Sequence, residues 1–210
     1  LSPYKLDQIK TLTAQSRIPV VMIGDTGDSK RLRLPCDQVL GSNAFLTYKA
    51  TEYLLRKGHR NIALTRWETS SVWSQEQLQG YREAYADAGL SPRESDALNL
   101  SPLVYGANKE NRDKAWNLES MKKAAVLFNS PEPPTALVYG GASEIQLWGL
   151  LGDAYASLTQ NADIVVTTMY ELLVHNYLGQ RPCVAFCLKY ESICQRAVEL
   201  LLNPTQGNAL

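Results

Sequence analysis

Short runs of β-branched and other apolar residues alternate along the chain with longer stretches whose apolar positions recur every three to four residues. The first kind reads as buried strands and the second as amphipathic helices. Val20 to Ile23 is one such run, introduced by Pro19 and stopped by Gly24. Asn61 to Leu64, Ala136 to Tyr139, Ile164 to Val166 and Val184 to Leu188 repeat the pattern, with Ala97 to Leu100 a weaker example. Leu46, Ala50, Tyr53, Leu54 and Lys57 predict one helical face, closed by Gly58. Leu78, Tyr81, Tyr85 and Ala88 predict a second, closed by Gly89. Ser74 and Gln77 have the spacing of a capping box at its start, with Ser74 as N-cap.

A third helix is marked by Leu118, Met121, Ala125 and Phe128 and ended by Pro131. Ser143 and Gln146 repeat the capping pattern before a helix through Leu150, and Ile193, Ala197, Leu200 and Leu201 mark the last. Leu6, Ile9 and Leu12 suggest a short helix at the start, and Asp25 to Cys36 reads as a polar, turn-rich connection. Repeated strand–helix alternation predicts βαβ units and a largely parallel sheet, hence the α/β class. The turn-rich Leu90-Ser91-Pro92-Arg93 predicts a division into two lobes near residue 92. Ligands of open α/β sheets lie beyond the carboxyl ends of the strands, so a cleft between two lobes is the expected site.

Composition narrows the function classes. The 21 basic and 21 acidic residues cancel, so the chain lacks the electrostatic footprint of a segment that grips nucleic acid by itself. No apolar run approaches the ~18 residues of a membrane span, and four cysteines in 210 residues are too sparse for a disulfide scaffold. Cys183, Cys187 and Cys194 lack a CxxC pair and read as buried thiols, so no metal site is expected. The chain has no GxSxG elbow, HExxH helix, Walker loop or GxGxxG turn, and neither catalysis nor a cofactor is expected. His59 and Arg60 follow a helix-ending glycine and suit bonds to the last helical carbonyls.

Tyr53-Leu54-Leu55-Arg56-Lys57-Gly58-His59-Arg60-Asn61-Ile62-Ala63 resembles a signature of the LacI/GalR family of bacterial transcription regulators, within the effector-binding domain. Its companions stand in family order: Ile18-Pro19-Val20-Val21 before it, Gly80-Tyr81-Arg82-Glu83-Ala84 and Ala88-Gly89-Leu90 after it. Pro134 to Val138, Ala162 to Val166 and Ala197 to Leu201 continue the series. The resemblance implies a two-lobed, periplasmic-binding-protein-like fold of parallel sheets flanked by helices, with the first lobe incomplete. It implies a partial N-terminal lobe over 1–92, a C-terminal lobe over 93–180 and a return segment over 181–210 that packs on the first lobe.

The resemblance also implies ligand positions, several of which depart from the family pattern. The Arg that commonly clamps sugar hydroxyls, three positions before the helical Gly-aromatic pair, is Gln77. The Asp-Asn pair that opens the helix before the signature is Ser42-Asn43. The Asn-Asp pair after the Pro134 strand falls on Gly141-Ala142, or on Glu144 with a small insertion, and a later carboxylate falls near Tyr170. Each departure removes a group that would fix a polyol. The lining that remains is aromatic and amide-rich: Trp67, Trp73, Gln77, Tyr139 and Tyr170, with Asn43 and Asp25 beside it. Gln77 and Asn43 also have capping readings, and Asp25 that of a solvated turn.

The resemblance thus implies the effector-binding and dimerisation part of a cytoplasmic regulator. A carbohydrate or related molecule in the cleft would shift the lobes, and operator DNA would be bound through a helix-turn-helix absent from this chain. A periplasmic sugar-binding protein of the same fold and a ligandless interaction domain are the alternatives.

Overall fold

In the computed structural model the described residues are 19–23, 36–66, 72–99, 121–140, 156–168 and 182–203, with positions 8, 11 and 15. Gln8, Thr11 and Gln15 are helical and exposed, on a segment whose periodicity predicts a helix. The chain divides into two compact units: Leu1–Ser42 with Lys189–Leu210, and Asn43–Leu188.

In the first unit, strands β1 (Val21–Ile23) and β2 (Asp37–Val39) pair in parallel, Val21 opposite Asp37. The C-terminal helix α3 (Tyr190–Leu202) contributes Ala197 and Leu200, buried with Val39 and flanked by Val21 and Ile193. Leu201, which the periodicity places inward, is exposed.

The second unit opens with helix α1 (Asn43–Arg56) and strand β3 (Ile62–Arg66). Helix α2 (Val72–Asp87) and strand β4 (Ala97–Asn99) follow, then β5 (Ala136–Tyr139), β6 (Asp163–Thr168) and β7 (Val184–Cys187). Residues 121–128 and 156–158 are helical. The five strands form one parallel sheet in the order β4-β3-β5-β6-β7. All five residues of β3 are buried, as a central parallel strand covered on both faces requires.

Alternate residues of these strands feed two apolar clusters. Ile62, Leu64, Ala136, Val138 and Val165 pack with Ala50, Leu54, Tyr81, Ala84 and Tyr85 of α1 and α2. Ala63, Leu137, Tyr139, Ile164 and Val166 pack on the other face with Ala124 and Leu127 of the helical segment 121–128. The two tyrosines of α2 fasten it to β3. The Tyr81 hydroxyl donates to the Ile62 carbonyl at 2.7 Å, and that of Tyr85 to the Arg60 carbonyl at 2.8 Å. Their rings meet edge to face at 5.0 Å.

Both helix ends fall on the expected glycines. Gly58 (φ 100°) and Gly89 (φ 69°) hold left-handed conformations. His59 and Leu90 donate backbone N–H groups to the Leu54 and Tyr85 carbonyls, the long bond of a Schellman turn.

The lobe boundary expected at residue 92 is corrected by strand pairing. Leu64, Thr65 and Arg66 stand in register with Ala97, Leu98 and Asn99, so β3 and β4 belong to one sheet. The division falls at 42/43 and again at 188/189, and the return to the first unit starts at Lys189 rather than 181. Smaller differences are local. Helix α2 begins at Val72, which puts Ser74 inside the first turn instead of at the cap, and Ala88 and Lys57 are exposed. Within 121–128 the buried positions are Ala124 and Leu127 rather than Ala125. Strand β2 lies just beyond the stretch read as a polar connection. The four cysteines are free and half-buried, not buried.

Candidate functional site

Written by position along the chain, the sheet order of the second unit is 2-1-3-4-5. Its order reverses between β3 and β5, the switch point at which such sheets leave a crevice beyond their carboxyl ends. The residues at these ends are Thr65 and Arg66 on β3, and Tyr139 followed by Gly140 on β5. Helices α1 and α2 both start at this edge, because each runs antiparallel to the strand it packs on. Asn43 is thereby brought beside Glu76, its amide donating to the carboxylate at 3.5 Å.

Gln77 is only 6% exposed and lies over Gly140. A β-carbon on Gly140 would stand 2.8 Å from the Gln77 amide carbon and 2.6 Å from the Thr65 carbonyl oxygen. Glycine is therefore required, and through it the β3–β5 ladder continues, Gly140 donating to that carbonyl at 3.2 Å. The helix itself can approach because Gly80 seats against the backbone of Ala44 in α1. Asn43, Glu76, Gln77 and Gly140 thus form one constellation at the carboxyl edge. Trp73, one turn before Gln77, is 46% exposed.

Arg66 was not anticipated from the sequence. It ends β3 on the α1/α2 face and is 8% exposed. Its guanidinium reaches the hydroxyl of Ser74, itself buried, at 3.5 Å, and among the described residues its Nε has no hydrogen-bond partner. Burial pushes its pKa below the usual arginine range, reinforced by the nearby charge of Arg82. The one signal available in the sequence was a basic residue closing an otherwise apolar run.

Other candidates separate from this edge. Tyr139 is 1% exposed and belongs to the core cluster on the opposite face of the sheet, because β5 turns alternate side chains to opposite faces. Its expected place in a ligand lining is corrected to the core. Trp67, Tyr170 and Asp25 lie outside the described residues, as do Gly141, Ala142 and Ser143.

The Gly-His-Arg segment lies at the amino ends of the strands and is structural. His59 bonds Thr135 Oγ1 at 2.9 Å and Asp163 Oδ2 at 3.1 Å, and Lys57 pairs with the same oxygen at 2.7 Å. The Lys57 bond holds the Asp163 carboxyl below the usual carboxylate range, with His59 adding to it. Arg60 donates to the Leu55 and His59 carbonyls at 3.1 and 2.9 Å, capping α1 as its position predicts. Among the described residues no group of three or more His, Cys, Asp or Glu side chains could hold a metal ion, and no helix is long and apolar enough to cross a membrane.

A family profile described as periplasmic binding proteins and sugar binding domain of LacI family matches residues 2–110. The HTH-type transcriptional repressor PurR of Aliivibrio fischeri is 28% identical over 123 residues, 58% of this chain and 35% of that protein. The HTH-type transcriptional regulator DegA of Bacillus subtilis is 29% identical over 124 residues, 59% of this chain and 32% of that protein. The match thus spans about a third of these curated relatives.

Among solved structures, a LacI-family transcriptional regulator from Mycobacterium smegmatis superposes with a TM-score of 0.63. It is 18% identical and covers 96% of this chain and 75% of its own. The transcriptional regulator CelR in complex with cellobiose gives a TM-score of 0.60 at 18% identity, covering 98% of this chain and 66% of its own. Both share the fold.

Proposed function

Because the chain belongs to the family of periplasmic binding proteins and LacI-type sugar-binding domains, we propose that it is the effector-binding part of a transcription regulator. Its ligand would be a sugar or sugar-like molecule received at the carboxyl edge of the five-stranded sheet. The observation that carries this reading is the Gln77–Gly140 contact at the β3/β5 switch point. There the family's clamp position survives as a buried amide, fitted to the strand end by a glycine that leaves no room for a side chain. An amide presents one acceptor and two donors, which suits the hydroxyls of a polyol without a full charge. Asn43 and Trp73 would extend the site, the indole offering a flat apolar face to a sugar ring.

The curated relatives are a transcriptional repressor and a regulator, which favours regulation over transport and gives the chain no catalytic role. The neighbour bound to cellobiose supports the carbohydrate class. In the regulator reading, the ligand favours one arrangement of a homodimer and so alters the spacing of paired DNA-binding modules on an operator. By linkage the operator then alters ligand affinity by the same factor. The protein would work in the cytoplasm, where operator DNA lies.

Isothermal titration of the chain with glucose, cellobiose and other neutral carbohydrates tests this reading. We expect one of them to bind, and Gln77→Ala to weaken it by about tenfold, as loss of a buried hydrogen-bonding group to a ligand does. No binding by these sugars or by their carboxylated and phosphorylated derivatives, or a Gln77→Ala variant that binds unchanged, would overturn it.

A further inference from the structure

Arg66 is a buried cation that the described structure does not neutralise. It is more than nine-tenths removed from water, and among the described residues its Nε has no hydrogen-bond partner. Its recorded bond is a long one, Nη1 to Ser74 Oγ at 3.5 Å. Among the described residues no carboxylate pairs with it. Glu94, whose charge favours the guanidinium, is held 2.7 Å from Arg82, which brings a second positive charge alongside.

Ser74 lies in the first turn of α2, a helix of sixteen residues, so the guanidinium also sits against the positive end of a helix dipole. A charge so placed is costly to bury unless an anion completes it. The position is the carboxyl end of β3, one strand from Gly140, at the edge where α/β sheets receive ligands. A fixed planar donor array beside a helix N-terminus is suited to a carboxylate or phosphate.

We propose that Arg66 receives an oxyanion group, carboxylate or phosphate, of the small molecule bound at this edge, so that the effector is an acidic rather than a neutral sugar-like compound. The inference rests on the effector-binding reading above and adds the chemical class of the ligand. It also accounts for the uncharged Gln77: the cation has moved from the helix to the end of the strand.

The test compares glucose, glucuronate, glucose 6-phosphate and inorganic phosphate as ligands of the whole chain, by thermal shift and calorimetry. We expect glucuronate or glucose 6-phosphate to bind at least about tenfold tighter than glucose, with a salt-sensitive affinity, and inorganic phosphate to compete if the group is a phosphate. Glucuronate alone would identify a carboxylate site. Arg66→Met should abolish the preference for charged ligands while leaving the unliganded Tm unchanged or higher, since it removes an unpaired buried charge. Arg66→Lys keeps the charge without the fork and should lose about tenfold in affinity; it decides the matter if the Met variant does not fold. Glucose binding as tightly as its acidic derivatives, or a charged-ligand response unchanged in Arg66→Lys, would overturn the oxyanion inference and leave the sugar-effector reading standing. Failure of all four probes and of the neutral panel would remove both.

Discussion

Gln77 and Gly140 are fitted to each other: the side-chain amide of the helix residue occupies the volume that a β-carbon on the glycine just after β5 would need. Gly140→Ala should therefore act twice. The new methyl would meet the Thr65 carbonyl oxygen at 2.6 Å, which is backbone and cannot retreat cheaply, and would push Gln77 aside. The expected loss is about 1–3 kcal/mol, the range for overpacking a filled site. Urea denaturation of Gly140→Ala, Gln77→Ala and the double variant measures it. The double variant should be less destabilised than the sum of the singles, because only the Gln77 share of the clash is relieved.

Glycines at three other positions separate close approach from backbone conformation. A β-carbon on Gly80 would overlap the Ala44 carbonyl oxygen and stand 2.8 Å from the carbonyl carbon, so Gly80→Ala must drive α1 and α2 apart. We expect at least the upper end of about 1–3 kcal/mol. Gly58 and Gly89 have nothing within 4 Å, and their constraint is the positive φ alone. Alanine at either should cost about 1–2 kcal/mol, and asparagine less, since it tolerates the left-handed region. Thermal melts of the alanine and asparagine pairs would expose the difference; asparagine no better than alanine would show that φ is not the limiting factor.

Tyr81→Phe deletes the 2.7 Å bond to the Ile62 carbonyl without changing the ring that fills the core. Chemical denaturation should register about 1 kcal/mol, the net value of a typical buried hydrogen bond. Little change in ligand affinity is expected, because the bond lies at the amino end of β3. A variant that loses ligand affinity more than stability would contradict that placement.

Asp163 gives an acid-limb signature. Its folded pKa lies below the ordinary aspartate value of 3.8, through the Lys57 bond first and His59 second. The stability it contributes is therefore fully present above pH 3.8 and is lost as pH falls through the lower folded value. Asp163→Asn should flatten that part of the stability profile. At neutral pH the cost should be within about 1 kcal/mol, because the carboxylate is half exposed and solvent screens it. Melting temperatures of both proteins between pH 2 and 7 would show it, and parallel curves would refute the assignment.

What was readable in the sequence was local in origin. The apolar runs that became β3, β5 and β6 are continuous because both faces of a parallel sheet are covered, and continuity survives in one dimension. The helix ends at Gly58 and Gly89 were equally visible, since a positive φ selects glycine whatever the surroundings. The family signature came with them, although its Gly-His-Arg segment serves the amino edge of the sheet and not the carboxyl edge.

The tertiary structure alone decided where the units divide. A turn near residue 92 looks like a boundary until β4 is seen hydrogen-bonded beside β3, and pairing between distant strands leaves no local mark. It also decided which candidates meet. Tyr139 and Gln77 both belong to the carboxyl edge by position, yet the two-residue period of β5 turns the tyrosine into the opposite core. Arg66 acquires its meaning in the same way. In the sequence it ends a strand; in the fold, burial with no carboxylate partner among the described residues makes it the group that we propose an anion completes.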